Sequence, residues 1–281
     1  MLIFKKSQDI SDYLNKSRAK GQSIGFVPTM GALHDGHISL INRSLSQSNL
    51  TVCSVFVNPT QFNDPKDFEK YPVTIEKDIL LLERAKCDIL FLPPVEEIYP
   101  KDWKSPSHFD LGELEKVLEG KYRPGHFQGV CQVVQRLLQI VNPTTIYLGQ
   151  KDIQQCMVIK RLIELGKLPV KIDICPTMRD SDGLAMSSRN QRLNADERAI
   201  APALFEALSF IKENIKSGPT NHILYDAQIM LSQKGFKVDY IAIASAKDLQ
   251  LIDDWNGKDQ LVALVAAFLH QVRLIDNMLL N

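Results

Sequence analysis

Ser23-Ile24-Gly25-Phe26-Val27-Pro28-Thr29-Met30-Gly31-Ala32-Leu33-His34-Asp35-Gly36-His37 runs directly into Ile38-Ser39-Leu40-Ile41-Asn42-Arg43-Ser44-Leu45-Ser46. Ser23 to Val27 reads as a short buried strand. Ile38, Ile41 and Leu45 recur at helical spacing, so His37 to Ser46 reads as a helix. Between them, Gly31 and Gly36 let the backbone pass close to a ligand. A strand, a glycine-bearing turn and a helix start mark a phosphate site in a parallel α/β sheet. There the free N–H groups and the positive end of the helix dipole point outward.

Working outward, the same alternation recurs. Thr51 to Val57 is a continuous β-rich run, as expected of a strand covered on both faces. Thr74 to Ala85 places Ile75, Ile79 and Leu82 on one helical face, and Asp88 to Leu92 is a short strand stopped by Pro93-Pro94. Gln128 to Val141 reads as a helix, Thr144 to Leu148 as a strand, Lys151 to Leu165 as a helix and Val170 to Ile174 as a strand. Strands alternating with helices imply right-handed crossovers and a mainly parallel sheet. Ligands are therefore expected just after Val27, Val57, Leu148 and Ile174.

Beyond about Cys175 the pattern changes. A Gly/Ser/Arg-containing loop, Asp180 to Asn190, precedes a long predicted helix, capped by Asn194 and running from Ala195 to about Lys216. A helix near Leu224 to Lys234 and two strand-like runs, Val238 to Ala244 and Leu261 to Leu269, complete a smaller α+β unit. The expected division is residues 1–175 and 176–281.

The chain has 281 residues, long enough for one large domain and a smaller one. Lys plus Arg and Asp plus Glu are 33 each, and this balance argues against a nucleic-acid binder that neutralises phosphate in bulk. The five cysteines are odd in number and include no Cys-x-x-Cys pair, which predicts buried, reduced thiols. No signal-like segment opens the chain, and no run approaches the roughly 20 apolar residues of a membrane span. A cytoplasmic location follows by elimination, with no membrane partner.

Three segments carry candidate chemistry. His34 and His37 lie three apart, so a helical turn puts both imidazoles on one side, where they can donate to phosphate oxygens. Two solvent-facing histidines or a metal pair fit the same spacing. Met186-Ser187-Ser188-Arg189 offers hydroxyls and a guanidinium suited to phosphate, although a polar interdomain linker would look alike. Gly149-Gln150-Lys151-Asp152 follows a strand and opens a helix, with Lys151 as a phosphate cation; an ordinary charged first turn is the alternative.

Taken together these segments resemble a known superfamily. His34-Asp35-Gly36-His37 is similar to the His-x-Gly-His signature of the nucleotidyltransferases, and Met186 to Arg189 resembles a reduced form of their Lys-Met-Ser-Lys-Ser loop. The resemblance sharpens to the pantothenate synthetase family. It rests on Phe26 to His37, Phe56-Val57-Asn58-Pro59-Thr60-Gln61-Phe62, Arg123-Pro124-Gly125-His126-Phe127, Lys151-Asp152 with Gln154-Gln155, and Asp182 to Arg189.

This resemblance implies a Rossmann-like parallel α/β nucleotidyltransferase domain followed by a smaller C-terminal α+β lid domain. It implies ATP-dependent ligation of pantoate and β-alanine through a pantoyl-adenylate. Met30, Gly31, Ala32, Leu33, His34, Asp35, Gly36 and His37 would line the ATP site, with His37 as catalytic proton donor and α-phosphate stabiliser. Gly149, Gln150, Lys151, Asp152, Met178, Met186, Ser187, Ser188 and Arg189 would also contact ATP. Gln61 and Gln155 would bind pantoate, Gln61 also meeting β-alanine; without the resemblance both read as surface glutamines. Mg²⁺ would arrive on ATP, held mainly by phosphate oxygens and water, with Asp78 an open candidate for a protein ligand. The family also implies a homodimer, and the Asp180 to Asn190 loop is expected to act as a hinge that closes the second domain over the adenylate.

Gln128 and Gln150 depart from the family pattern, which usually has Arg and Glu there, and each change removes a charge near the expected nucleotide site. Three rivals remain to be distinguished: another adenylyl transferase, a metal hydrolase built on His34 and His37, and a non-catalytic nucleotide-binding module.

Overall fold

Strands buried on both faces need mostly apolar residues, and the runs between residues 24 and 149 supply them. The computed structural model describes residues 1–63, 65–103 and 108–281, excluding the side chains of residues 65 and 66. Among the described residues six strands form one sheet: β1 Leu2–Phe4, β2 Ile24–Thr29, β3 Leu50–Val55, β4 Ile89–Phe91, β5 Thr145–Gly149 and β6 Lys171–Cys175. Their order is β1-β4-β3-β2-β5-β6, and every neighbouring pair is parallel. The register aligns Leu2, Ile89, Val52, Phe26, Ile146 and Ile172 across the sheet.

Side-chain alternation divides the packing. Phe26, Val52, Ile89 and Ile146 share a core with Ile10, Leu14, Val134 and Leu138 from the helices Ser7–Ala19 and His126–Val141. Their neighbours Val27, Cys53, Leu90 and Tyr147 pack instead with Leu40, Ile41 and Leu82 from the helices Asp35–Gln47 and Ile75–Arg84. The chain builds outward from β2 through β3 and β4, then returns to the other side of β2 with β5 and β6. Strand order therefore reverses between β2 and β5, and ligands of such sheets bind beyond the carboxyl ends at that reversal.

The chain divides into two compact units: 1–149 with 155–176, and 150–154 with 177–281. In the second, β8 Phe236–Ser245, β10 Leu261–Leu269 and β11 Val272–Leu279 form an antiparallel sheet in the order β11-β10-β8. The two-residue strands β7 Gly218–Pro219 and β9 Asp254–Trp255 pair separately. Leu204, Leu208, Ile211 and Leu231 pack on Ile243, Ala263 and Val265 to make this unit's core. The single helix expected from Ala195 to about Lys216 is instead two, Ala195–Ile200 and Ala203–Asn214. Pro202 explains the break, since it has no N–H to donate and its ring crowds the preceding turn. The expected cap holds, with Asn194 accepting from Glu197 N while the Glu197 carboxylate accepts from Asn194 N.

All five cysteines are buried thiols, none of them in a disulfide. Burial pushes the Cys87 and Cys131 thiols up to about 12 and that of Cys175 to about 11. A thiol titrating near 11 is roughly one part in a thousand thiolate at pH 8, and the thiolate is the reactive form. Iodoacetamide at pH 8 should therefore leave the native protein's thiols unlabelled by mass spectrometry and label all five after denaturation. Rapid native labelling at Cys87, Cys131 or Cys175 would contradict this burial. Among the described residues no helix is long and apolar enough to cross a membrane.

Candidate active site

Beyond Thr29 the backbone leaves β2 in a conformation that a side chain resists. Gly31 has φ +83°, and Ala32 follows at φ +49°. One carboxylate holds this turn. Ala32 N donates to Asp78 Oδ2 at 3.0 Å, and Leu33 N donates to Oδ1 at 2.8 Å. Thr74 Oγ1 also donates to Oδ1, at 3.0 Å. Asp78 is only 2% exposed, so its acceptor capacity is committed to this loop. Ala32 and Leu33 are buried, and Leu33 packs with Val27 and Leu40.

The following helix begins at Asp35 rather than near His37, because His34 caps it. Gly36 N donates to His34 Nδ1 at 3.2 Å, and His34 N donates to His37 Nδ1 at 3.3 Å. The two imidazoles form a reciprocal capping box, with ring centroids 4.1 Å apart. A ring nitrogen that accepts an amide hydrogen carries no proton, so in each neutral ring the proton resides on Nε2. The local sequence thus presents two Nε2–H donors at a helix N-terminus. This arrangement suits an anion that gains negative charge.

Gln61 ends the 3-10 turn Pro59–Gln61, which Asn58 caps. Asn58 Oδ1 accepts from Thr60 N at 3.3 Å and Tyr99 Oη at 2.8 Å. Asn58 Nδ2 donates to Gln61 Oε1 at 3.1 Å and to the Gly129 carbonyl at 3.3 Å. Gln61 Nε2 then lies 3.0 Å from Met30 Sδ, bringing two expected site residues together. The Gln61 carbonyl is held 2.8 Å from His126 Nδ1, and Arg123 lies 3.0 Å from His126 Nε2. Gly129 permits this packing, since a Cβ there would overlap the Thr60 carbonyl. Gln128 is spent locally: its amide bonds Phe109 N and O and both Glu115 carboxylate oxygens. Spacing and composition do not single out Asn58, Tyr99 and His126 as supports of Gln61; the one signal is that Asn58 lies in the Phe56 to Phe62 motif and His126 in the Arg123 to Phe127 motif.

In the second unit Gln150–Asp152 forms a 3-10 turn, with Lys151 Nζ 3.6 Å from Asp152 Oδ1. Met178 and Met186 pair through Met186 N to Met178 O at 3.0 Å, and Arg179 bridges Ala185 in the same small hairpin. The Ser187 oxygen accepts from Arg189 N at 3.3 Å and starts the turn Ser188–Arg192; Ser188 is buried. The loop from Asp180 to Asn190 thus carries hydrogen bonds of its own. Arg198 pairs with both Asp180 and Asp182, and its hydrogen bond holds the Asp182 carboxyl below the usual carboxylate range. Gly149 ends β5, and Gln155 lies in the helix Ile153–Leu165; both group with the first unit, whereas Gln150, Lys151 and Asp152 group with the second.

Among the described residues no three His, Cys, Asp or Glu side chains gather as a metal-holding group.

A family model for pantoate-beta-alanine ligase matches residues 2–279. A pantothenate synthetase from Porphyromonas gingivalis is 44% identical over 279 residues, covering 99% of this chain and 98% of that protein. The crystal structure of pantothenate synthetase from Thermus thermophilus superposes with a TM-score of 0.90 at 37% identity, covering 99% of both chains. A pantoate-beta-alanine ligase from Francisella tularensis, crystallised with beta-gamma ATP and beta-alanine, gives a TM-score of 0.83 at 38% identity, covering 99% of this chain and 97% of that one.

Proposed function

The chain belongs to the pantoate–β-alanine ligase family, and we propose that it joins pantoate to β-alanine in two steps through a pantoyl-adenylate. In the first step the pantoate carboxylate attacks the α-phosphorus of ATP and pyrophosphate leaves. In the second the amine of β-alanine attacks the acyl carbon of the mixed anhydride, loses a proton, and AMP leaves. The observation that carries this reading is the imidazole pair, whose caps keep both Nε2–H groups as donors at the helix start after β2. Charge builds on the α-phosphate oxygens in the first step, and fixed donors stabilise it without reorganisation. His37 is assigned the proton-donating, phosphate-stabilising role, and His34 with Met30 to Gly36 the nucleotide contact. Lys151 and Arg189 supply cations for the phosphates, with Gly149, Gln150, Asp152, Met178, Met186, Ser187 and Ser188 as further nucleotide contacts.

Gln61 and Gln155 are assigned to pantoate. Because Asn58 Nδ2 donates to Gln61 Oε1, the Gln61 amide is held with its nitrogen toward Met30, and an N–H donor there suits a carboxylate or hydroxyl oxygen. Asn58→Ala should raise the pantoate KM roughly five- to tenfold through loss of this alignment, with the ATP KM little changed. Steady-state kinetics with each substrate varied in turn checks it, and an unchanged pantoate KM would refute the alignment.

Mg²⁺ is proposed to enter with ATP and to neutralise charge on its phosphate oxygens when bound. Asp78 is already committed to backbone N–H groups and Thr74, which fits a cation carried by phosphate oxygens and water rather than by this carboxylate. Family membership supports a homodimer and a cytoplasmic setting. Sedimentation at 31.8 kDa across micromolar concentrations would count against the dimer.

The deciding assay is pyrophosphate release from ATP before β-alanine is added. Release that requires pantoate supports the two-step reading, and release that ignores pantoate removes it.

A further inference from the structure

Lys151 and the Met178–Met186 hairpin come from separate stretches of the chain, yet one edge strand of the second unit holds both. Asn277 on β11 is 2% exposed and pairs across the sheet with Leu264. Its Nδ2 donates to the carbonyls of Gln150 and Lys151, both at 2.8 Å. An amide nitrogen has two hydrogens, so both are used. Gln150 Nε2 lies 3.4 Å from Asn277 Oδ1. The Asn277 backbone is fixed as well: its N donates to Asp276 Oδ1 at 2.7 Å, and its carbonyl accepts from Arg179 Nη2 at 3.2 Å.

Arg179 extends the same network. It makes a two-pronged pair with buried Asp276, at 2.6 and 3.0 Å, and donates to the Gly183 carbonyl at 3.0 Å. Its guanidinium sits over the Phe205 ring, 4.7 Å from the centroid. The Lys151 turn and the hairpin that leads into Ser187 and Arg189 are therefore anchored to two consecutive residues of one strand.

We infer that Asn277 is a positioning residue for the nucleotide: its carboxamide fixes the Gln150–Lys151 backbone and thereby the direction in which Lys151 presents its ammonium. This rests on the proposed assignment of Lys151 to the ATP phosphates. A carboxylate at this position would be nearly isosteric, but it would set negative oxygen against two carbonyl oxygens that now receive hydrogens. The turn would have to move, and Lys151 with it.

The test compares Asn277→Asp in the full-length protein with Lys151→Ala and with the double variant. Wild-type pantoate-dependent pyrophosphate release is measured first. Its absence would remove the functional reading and this inference together. With an active wild type, Asn277→Asp should raise the ATP KM about tenfold, the scale of one to two lost hydrogen bonds, and leave the pantoate KM within about twofold. In the Lys151→Ala background the same substitution should add less than about twofold, because the residue acts through a side chain already gone. Should Asn277→Asp not fold, Asn277→Ala, which removes the donors without adding charge, is expected to raise the ATP KM about threefold or more with the same selectivity. An unchanged ATP KM, parallel rises for both substrates, or full additivity with Lys151→Ala would overturn the inference while leaving the ligase reading intact.

Discussion

Replacing His37 with alanine is expected to lower the rate of pantoate-dependent pyrophosphate release by about two to three powers of ten, the usual scale for removing one transition-state donor. The size follows from preorganisation. His37 Nδ1 is tied to His34 N, so the ring is already oriented before substrate arrives, and its Nε2–H needs no reorientation as charge develops. Two effects are mixed in this variant, because alanine also removes the bond from His34 N to the His37 ring, half of the capping box, at a cost of about 1 kcal/mol, while the His34 cap on Gly36 N stays. His37→Asn separates them. Asparagine can still accept from His34 N through its side-chain oxygen, so the cap and the melting temperature should largely return. Its shorter amide cannot place a donor where Nε2 stood, so turnover should stay at least tenfold down. Single-turnover pyrophosphate release with melting curves alongside reads both effects. A fall of less than threefold in His37→Ala would reject the donor role.

Parallel strands packed on both faces read as largely apolar runs, which is why β2 to β5 are legible in the sequence with boundaries shifted by only a few residues, while the edge strand β6 is legible from alternating Ile172 and Ile174. β1 is not, since three residues with Leu2 and Ile3 exposed carry no pattern. The break at Pro202 is written in the sequence but masked, because helical periodicity continues across it. Spacing alone puts His34 and His37 at one helix end. It does not show both rings spending Nδ1 on caps, since cap preferences point to Ser, Thr, Asp and Asn. The grouping of Gln150 to Gln154 with the second unit is beyond any local reading. It accompanies hydrogen bonds from Asn277, more than a hundred residues away. Asp78 is similarly opaque: the resemblance offers it only as an open candidate for a Mg²⁺ ligand, and the fold reveals that it is buried and bonded to the turn.

That burial makes Asp78 the second site of large expected effect. Asp78→Ala should cut kcat/KM for ATP by about a hundredfold, the scale of a misplacement of roughly 1 Å at a reacting centre. Alanine strands two buried N–H groups, those of Ala32 and Leu33, at about 1–3 kcal/mol each. Ala32 sits at φ +49°, a conformation that costs an L-residue roughly 1–2 kcal/mol and persists only while something holds it. Without the carboxylate the turn can relax, and His34 and His37 follow directly in the chain. Asp78→Asn is not a gentle substitution here. Its single oxygen can serve one of the two N–H groups, while its own N–H₂ must face the other. Thr74 can rotate its hydroxyl to suit either atom, so it offers no relief to the second amide. Asparagine should therefore fall nearer to alanine than to wild type, and Asp78→Glu, which keeps two acceptor oxygens on a longer stem, should recover part of the loss. Kinetics well below each variant's melting temperature distinguish a displaced turn from an unfolded protein. If Asp78→Ala kept kcat/KM for ATP within threefold of wild type, the carboxylate would be dispensable and the geometry of the histidine turn would have to be set by something other than the hydrogen bonds it receives from Ala32 and Leu33.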